Sequence, residues 1–330
     1  MCKLNIQYFD LGGGKTDMLK LILAIFVVAI HTTGFEVLFP ILRCAVPLFF
    51  MLSSYFFFSK YDNTDDIYEQ RDVLFKYIKR NLQLYTFWFI VLLPFTLVHR
   101  GYLNESFFDV IVKLLYSTLL SSTFPASWYI VASVIGVSLV IYMGKIVSSR
   151  ISLAICVLVY CVCVLTSNYG EDILNPYCPY NSFPVSLIWI WLGRFIAQNR
   201  ERIKSLNYYR LILYFAGCLF LLYIEFFIIS HFQLAIANDC YFLLIPTCFI
   251  FLIIFGKTKI NFSPKPFMRK ASTIIYCTHI PIAVILSFGL KYFGIEYHVP
   301  VSPLTVILSM SLAYIITRIA QQYSIIKLAY

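Results

Sequence analysis

Charged residues and the common signatures of enzyme sites are scarce in this sequence. Only 13% of its 330 residues are Asp, Glu, Lys or Arg, whereas about a quarter of the residues in a soluble domain are charged. A water-soluble fold of this length is therefore excluded. The ten cysteines form no C-x2-C pair, and no histidine stands at metal-ligand spacing from them, so we expect no metal site. The sequence also lacks a nucleophile elbow and a phosphate-binding glycine loop.

Apolar residues make up 60% of the chain and give a mean hydropathy of +0.80. Apolar runs long enough to cross a bilayer recur, and they are continuous rather than alternating, which predicts helices and not a β-barrel. We therefore predict an all-α fold, a polytopic integral membrane bundle of about ten transmembrane helices in residues 17–330, after a short cytoplasmic tail at residues 1–16. The predicted spans are 17–36, 40–58, 81–98, 127–144, 151–167, 184–198, 208–230, 241–256, 272–293 and 302–322.

The basic residues predict the orientation of these spans. The formal net charge of +10 is concentrated in short loops beside apolar runs, which is a topology signal rather than a nucleic-acid-binding surface. With both termini in the cytoplasm, only Arg43, Arg100, Lys113 and Lys291 fall on the outer side or inside the bundle. We expect a multi-pass protein of the inner or plasma membrane, with the lipid bilayer and no nucleic acid among its partners.

The segment 105–122 is not counted as a span. Its apolar core is short, and a crossing there would invert every later loop against the basic bias. We predict an amphipathic or re-entrant segment on the outer face.

One face of the first predicted span carries three ionisable residues. Asp17, Lys20 and His31 lie in the run TDMLKLILAIFVVAIHTTGFE. At 3.6 residues per turn they project from nearly the same face, with about 16 Å of rise between Lys20 and His31. Lipid cannot solvate such a stripe, so it faces protein or a water-filled cavity. A neutral imidazole at His31 can accept the proton of a hydroxyl group; the alternative is a histidine satisfied by a neighbouring helix.

The first two apolar runs together resemble a known family. They read Asp-x-x-Lys-x10-His and then, from Arg43, Arg-x3-Pro-Leu-Phe-Phe-x2-Ser-x-Tyr-Phe. This order resembles the opening of the acyltransferase-3 family, whose members are polytopic membrane O-acyltransferases that modify cell-surface glycans. The resemblance implies transfer of an acyl group, most simply acetyl, from cytoplasmic acetyl-CoA or another acyl-CoA to a carbohydrate hydroxyl of a polysaccharide or lipid-linked glycan. The alternative function is a transporter or flippase for a lipid-linked glycan, which also needs charges in a membrane cavity.

The resemblance implies roles for residues of the first span. The family has a catalytic histidine at the place of His31, and Arg or Lys at the place of Lys20, where a cation would hold the phosphates of the donor. By position alone Lys20 would be read as a cytoplasmic membrane anchor, with Asp17 as its ion-pair partner one turn earlier.

The second span adds two further candidates. Arg43 would stabilise a developing oxyanion or orient the acceptor sugar, and an ion pair with Glu36 is the alternative. Ser53 matches the serine of the family pattern, whereas Ser54 stands where the family usually has glycine.

Three later positions also resemble family motifs. Lys79 and Arg80 in YIKRNLQLYTFW are similar to the basic start of the third span and are candidates to bind donor phosphates; topology alone explains them equally well. Trp128 and Tyr129 resemble a Leu-Trp-Phe/Tyr motif, although the histidine that often precedes it is absent. Arg194 in WLGRFIAQ resembles the Leu-Gly-Arg/Tyr position and is a further donor-binding candidate; otherwise it is an inner anchor.

The last motif lies in the ninth predicted span. Ser272, Tyr276, His279 and Pro281 match the family's Ser-x-x-x-Tyr-x-x-His-x-Pro. Tyr276 and His279 are therefore site candidates, with packing or hydrogen bonding as the commoner role of such residues. Pro281 predicts a broken helix that faces a cavity.

Glu225, in the apolar run LLYIEFFIISH, has no securely aligned family counterpart. We consider it a catalytic candidate because a carboxylate there would pair with Arg43 or His31. A protonated, structural carboxyl group is the alternative.

Overall fold

The computed structural model describes residues 8–32, 36–120, 122–124, 126–169, 182–234, 239–263, 265–294 and 301–330, and within these ranges the regular structure is entirely helical. The α-helices are α1 Gly14–Thr32, α2 Phe39–Leu42, α3 Ala45–Tyr61, α4 Ile67–His99, α5 Phe107–Leu120, α6 Ser127–Ile146, α7 Ser149–Val164, α8 Phe183–Gln198, α9 Arg200–Ser205, α10 Tyr208–His231, α11 Leu244–Lys257, α12 Pro266–Tyr292 and α13 Val301–Ile319. Short 3-10 turns cover Glu36–Leu38, Tyr102–Asn104 and Ser324–Ala329, and a π-helix, Leu165–Tyr169, continues α7.

Seven segments of the described chain are long and apolar enough to cross a membrane. They are Glu36–Tyr61, Ile67–His99, Ser127–Ile146, Ser149–Tyr169, Tyr208–His231, Pro266–Tyr292 and Val301–Ile319. The prediction of an all-α, polytopic membrane protein is confirmed.

The other three predicted spans also coincide with helices. These helices are either shorter or more charged than the seven segments named above. Helices α8 and α11 are apolar but have only 16 and 14 residues. Helix α1 carries Lys15, Asp17 and Lys20 in its first two turns. The count of ten crossings and the cytoplasmic position of both termini stay predictions.

Helix starts follow local sequence chemistry. The side chain of Ser148 accepts a hydrogen bond from the amide of Ile151 at the start of α7, and Asn207 does the same for Arg210 at the start of α10. Both are residue types whose side-chain oxygen satisfies an amide that the first helical turn leaves open. Pro266 begins α12, a position where its missing N–H costs nothing.

The predicted break at Pro281 is wrong. Helix α12 runs without interruption from Pro266 to Tyr292. A proline inside a helix removes one backbone hydrogen bond, but membrane helices tolerate this where neighbouring groups satisfy the backbone. In the preceding turn, the hydroxyl of Thr278 donates to the carbonyl of Ile274 at 2.8 Å, one of the side-chain bonds that bind this turn to its own backbone.

The helices form two compact units. The first unit comprises Met1–Lys15, Val46–Tyr77 and Ala132–Ser263, and the second unit comprises Thr16–Ala45, Ile78–Val131 and Pro264–Tyr330. Within the first unit α7 packs on α8 and α10 packs on α11, and within the second unit α12 packs on α13.

In the first unit, one buried lysine binds the C-terminal end of a helix. The ammonium of Lys15, which is buried, donates to the carbonyls of Phe255, Gly256 and Thr258 at 3.1–3.4 Å, at the C-terminal end of α11. These carbonyls lie at the negative end of the helix dipole, where helix carbonyls run short of amide donors, so a cation stabilises them.

The close contact between α3 and α8 depends on a glycine of α8. A Cβ atom at Gly193 would lie 2.5 Å from the carbonyl oxygen of Met51 and would overlap Ser54 Oγ. Ser54 itself is buried and donates to the carbonyl of Phe50 at 2.8 Å. The small residue needed for close approach is therefore on α8, which explains how a serine is accommodated where the family usually has glycine.

Helix α5 fills the segment that sequence patterning did not count as a span. Its 14 residues rise about 21 Å, less than the roughly 30 Å of a bilayer core. Apolar side chains such as Phe107, Phe108 and Leu115 are exposed, and Lys113 forms an ion pair with Glu105 at 2.6 Å. The hydrogen bond that the Lys113 ammonium donates to the Glu105 carboxylate raises the pKa of Lys113. These features fit an amphipathic, non-spanning helix, and its place on the outer face stays a prediction.

Candidate functional site

Two histidines from different helices meet in the second unit. The rings of His31, next to the last residue of α1, and His279, in the middle of α12, have centroids 5.3 Å apart and planes inclined by 34°. The His31 side chain is exposed, whereas His279 is only 1% exposed. The pair therefore has one accessible ring and one ring enclosed by protein.

The hydrogen bonds of His279 determine which of its nitrogens carries the proton. Nδ1 lies 2.8 Å from the carbonyl oxygen of Tyr276 and 3.2 Å from that of Ile275. Because carbonyl oxygens only accept, neutral His279 must be protonated at Nδ1 and hold a lone pair at Nε2. That Nε2 is buried and has no hydrogen-bond partner among the residues that the structure describes. A buried polar atom left in this state costs about 1–3 kcal/mol, so its presence calls for a reason.

Aromatic rings continue from the histidine pair to α6. The ring of Tyr276 lies 6.1 Å from that of His279 and 5.4 Å from that of Tyr129. Tyr129 follows Trp128 near the start of α6. Three predicted motifs, from the first, fourth and ninth predicted spans, thus meet at one place.

Arg43 lies at the end of α2, and its guanidinium is 5.9 Å from the centroid of the Phe39 ring. Among the described residues, Arg43 and His279 both act electrostatically on His31. The structure therefore brings a cation close to the accessible histidine, where negative charge that develops in a reaction would be stabilised.

A second cluster lies near the start of α1. The charged groups that act on Lys20 are Asp17 in the preceding turn, Arg80 on α4 and Arg269 on α12. Lys20 is half-buried, and both arginines are exposed. The repulsion that Arg80 and Arg269 exert on Lys20 is partly offset by Asp17 and falls further when an anionic ligand binds, so the cluster favours such a ligand. Lys79, the neighbour of Arg80, is exposed on the same helix.

Sequence reasoning missed the contribution of Arg269, which it counted as a topology signal. Arg269 and Lys270 lie in the first turn of α12, where the positive end of the helix dipole disfavours cations. This unfavourable position for a cation was the sequence feature that could have indicated a role for Arg269.

Three other predicted site residues, Arg194, Ser53 and Glu225, belong to the first unit. Arg194 is bound to Asp62 through two hydrogen bonds of 2.9 Å and donates to the carbonyl of Val140 at 3.3 Å. Ser53 is half-buried on α3. The donor-binding role of Arg194 and the role of Ser53 stay predictions.

Glu225 is buried in the first unit, and both of its oxygens accept hydrogen bonds. The amides of Phe242 and Leu243, just before α11, donate to it at 2.7 and 2.9 Å, and the Tyr169 hydroxyl lies at 3.4 Å. A carboxylate at this position caps the positive end of α11.

In the second unit, α1 and α12 each carry a cation near one end and a histidine farther along the helix. Lys20 and His31 are about 16 Å apart along α1, and Arg269 and His279 are about 15 Å apart along α12. The cations are near each other at one end and the histidines at the other. Such a site can bind an extended ligand with a polyanionic end and place its other end at an imidazole.

Comparison with known proteins identifies the family of this chain. A family model described as an acyltransferase domain, Acyl_transf_3, matches residues 15–318. Two amino-acid racemases of Enterococcus faecalis are each 24% identical, one over 268 residues (74% of this chain and 36% of the racemase) and one over 313 residues (84% and 42%). A serine/alanine racemase of Enterococcus gallinarum is 32% identical over 130 residues, 36% of this chain and 18% of that protein.

The chain spans about two fifths of the length of the two longer-matching relatives, at 36% and 42%. No solved structure matches it. The family match covers most of the chain, including both histidines and all three cations of the second cluster. This chain belongs to the acyltransferase-3 family.

Proposed function

We propose that this protein transfers an acyl group, most simply acetyl, from cytoplasmic acyl-CoA to a carbohydrate hydroxyl of a cell-surface glycan. The observation that carries the proposal is the pairing of two clusters in the second unit, cations at one end and histidines at the other. Coenzyme A has the matching shape, because its phosphates lie at one end and its thioester at the end of a flexible arm.

The cationic cluster would hold the donor. Lys20, Arg80 and Arg269 come from three different helices and would each contribute charge-assisted hydrogen bonds to phosphate oxygens. The thioester would then reach His31 along α1 and α12.

His31 would act on the acceptor. Its ring is exposed, so a sugar hydroxyl can approach it, and a neutral imidazole takes the proton of that hydroxyl as the oxygen attacks the thioester carbon. The positive charge of Arg43 would stabilise the oxyanion or orient the sugar. The reaction then gives an O-acyl sugar and free coenzyme A.

The names of the racemase relatives do not assign racemisation to this chain. More than half of each relative lies outside the match, which is enough sequence for a separate activity. The shared membrane part is what the acyl-transfer proposal concerns.

The test measures whether a labelled acetyl group moves from acetyl-CoA to a glycan. Purified full-length protein in lipid nanodiscs is incubated with acetyl-labelled acetyl-CoA and a panel of polysaccharides and lipid-linked glycans. We expect release of free thiol that requires a glycan, with the label recovered on that glycan as an ester. An unchanged thioester with every acceptor would refute the proposal.

The second candidate function is a flippase or other transporter for a lipid-linked glycan, which the intramembrane ionisable groups of α1 also favour. In vesicles that contain the protein, a transporter moves the glycan across the bilayer without consuming acyl-CoA. The same preparations therefore separate the two functions.

A further inference from the structure

We propose that His279 is the residue that positions His31. An N–H of His31 would donate to Nε2 of His279, so that the other ring nitrogen of His31 holds its lone pair toward the acceptor hydroxyl. This inference rests on the proposed function for its catalytic consequence, but the hydrogen bond between the two rings can be tested without it.

The first argument is the tautomer of His279. Both of its backbone contacts are to carbonyl oxygens and involve Nδ1, so Nε2 is an acceptor in the neutral ring. The backbone bonds also fix the ring, because they anchor it to the preceding turn of its own helix.

The second argument is the distribution of burial. His279 is 1% exposed, and its Nε2 has no hydrogen-bond partner in the part of the chain that the structure describes. A residue that served only to bind the backbone of α12 would not need a second ring nitrogen there. A donor for these carbonyls needs only one N–H, so the acceptor at Nε2 is not explained by the backbone contact.

The third argument is distance. Ring centroids 5.3 Å apart allow two facing ring nitrogens to come within roughly 3 Å, which is hydrogen-bonding range. His31 is the more exposed of the two, whereas His279 is held by its backbone contacts. Hydrogen bonds of catalytic residues commonly shorten only when substrate binds.

The pair would work by the logic of a catalytic triad, with a neutral acceptor in place of the carboxylate. The hydroxyl oxygen forms a bond to the thioester carbon while its proton passes to the lone-pair nitrogen of His31. The carbon–sulfur bond then breaks, and the proton returns from His31 to the departing thiolate. Throughout, the N–H on the ring nitrogen of His31 that faces His279 stays hydrogen-bonded to Nε2 of His279. This bond keeps the His31 ring oriented and stabilises its cationic form.

The first experiment is NMR on full-length protein in nanodiscs with 15N-labelled histidine, in which coupling patterns report the tautomer of each ring. Spectra of His31→Gln and His279→Asn assign the two rings. We expect His279 with its proton on Nδ1, and His31 in one tautomer that becomes a mixture in His279→Asn. A proton on Nε2 of His279, or His31 signals unchanged by His279→Asn, would overturn the proposal.

The second experiment compares two replacements in the acetyl-transfer assay. His279→Asn keeps an N–H for the backbone carbonyls but has no acceptor at the Nε2 position, whereas the longer His279→Gln can place its amide oxygen there. We expect kcat of His279→Asn to fall about 100-fold with KM for acetyl-CoA unchanged, and His279→Gln to recover part of the loss. His231→Asn, at the exposed end of α10, is the matched control and should have normal kcat.

Equal activities of the Asn and Gln variants, or an effect on KM alone, would contradict a positioning role. Thermal unfolding of each variant shows whether a loss of activity is a loss of fold. If wild-type protein consumes no acetyl-CoA, the proposed function fails while the NMR result still decides whether the two rings are paired.

Discussion

The two units treat their charged groups differently. In the first unit, buried charges are bound by protein groups: Arg194 by Asp62, Glu225 by the amides before α11, and Lys15 by carbonyls at the end of α11. In the second unit, Asp17 and two arginines act on Lys20, and the lone pair of His279 Nε2 has no hydrogen-bond partner among the described residues. In the first unit these charges hold helix ends together, and in the second unit we propose that the cations around Lys20 bind a ligand.

This contrast separates structural from functional charges better than residue type does. Arginines occur in both units and match family motifs in both, but Arg194 is bound to a carboxylate, whereas Arg80 and Arg269 act on a third cation, Lys20. The following substitutions test that contrast, beginning with the largest expected change in free energy.

Replacing Glu225 should affect stability and not catalysis. Glu225→Ala leaves the amides of Phe242 and Leu243 without their acceptor, which should lower the free energy of unfolding by about 3 kcal/mol. Thermal or chemical unfolding in detergent measures this. Glu201→Ala, which removes an exposed carboxylate from the same unit, is the control. A Glu225→Ala protein of normal stability that has lost acyl transfer would place this residue in the chemistry and break the contrast.

Replacing Arg269 should affect donor binding and not stability. A charge-assisted hydrogen bond to phosphate contributes about 2 kcal/mol, so Arg269→Ala should raise KM for acetyl-CoA about 30-fold with little change in kcat. The neighbouring Lys270, whose ammonium contacts the hydroxyl of Tyr330 at 3.2 Å, provides the control Lys270→Ala. Equal effects of the two variants would indicate a general effect of surface charge and not a site.

Replacing Arg194 by lysine should have the smallest effect. Lysine keeps the positive charge but cannot make the paired hydrogen bonds to Asp62, which should cost about 1 kcal/mol of stability. Unfolding measurements on Arg194→Lys, beside Asp62→Asn, check this. A raised KM for acetyl-CoA at full stability would instead show that Arg194 binds the donor, as the family motif predicts.

The sequence was sufficient for the fold class and for placing Lys20 and His31 on one helix. Long, continuous apolar runs require helices in a membrane, and the spacing of Lys20 and His31 places them on one face of α1. These features depend on local periodicity, so they can be read from the chain itself.

The rest depends on contacts between distant parts of the chain. Arg269 and Lys20 are far apart in sequence, and only packing shows that they share a cluster. The pairing of His279 with His31 and the use of Glu225 as a helix cap are tertiary features of the same kind. Pro281 was misjudged because a proline weakens a helix without determining whether its surroundings keep the helix continuous.

The most direct measurement of the central claim is the rate of label transfer from acetyl-CoA to glycan by His31→Gln, with His231→Gln as the matched control. General acid–base catalysis contributes roughly 100-fold to 10,000-fold, so we predict a loss of that size in His31→Gln at normal donor affinity and stability. Full activity in His31→Gln would contradict the assignment of this site as the place where the acyl group is transferred.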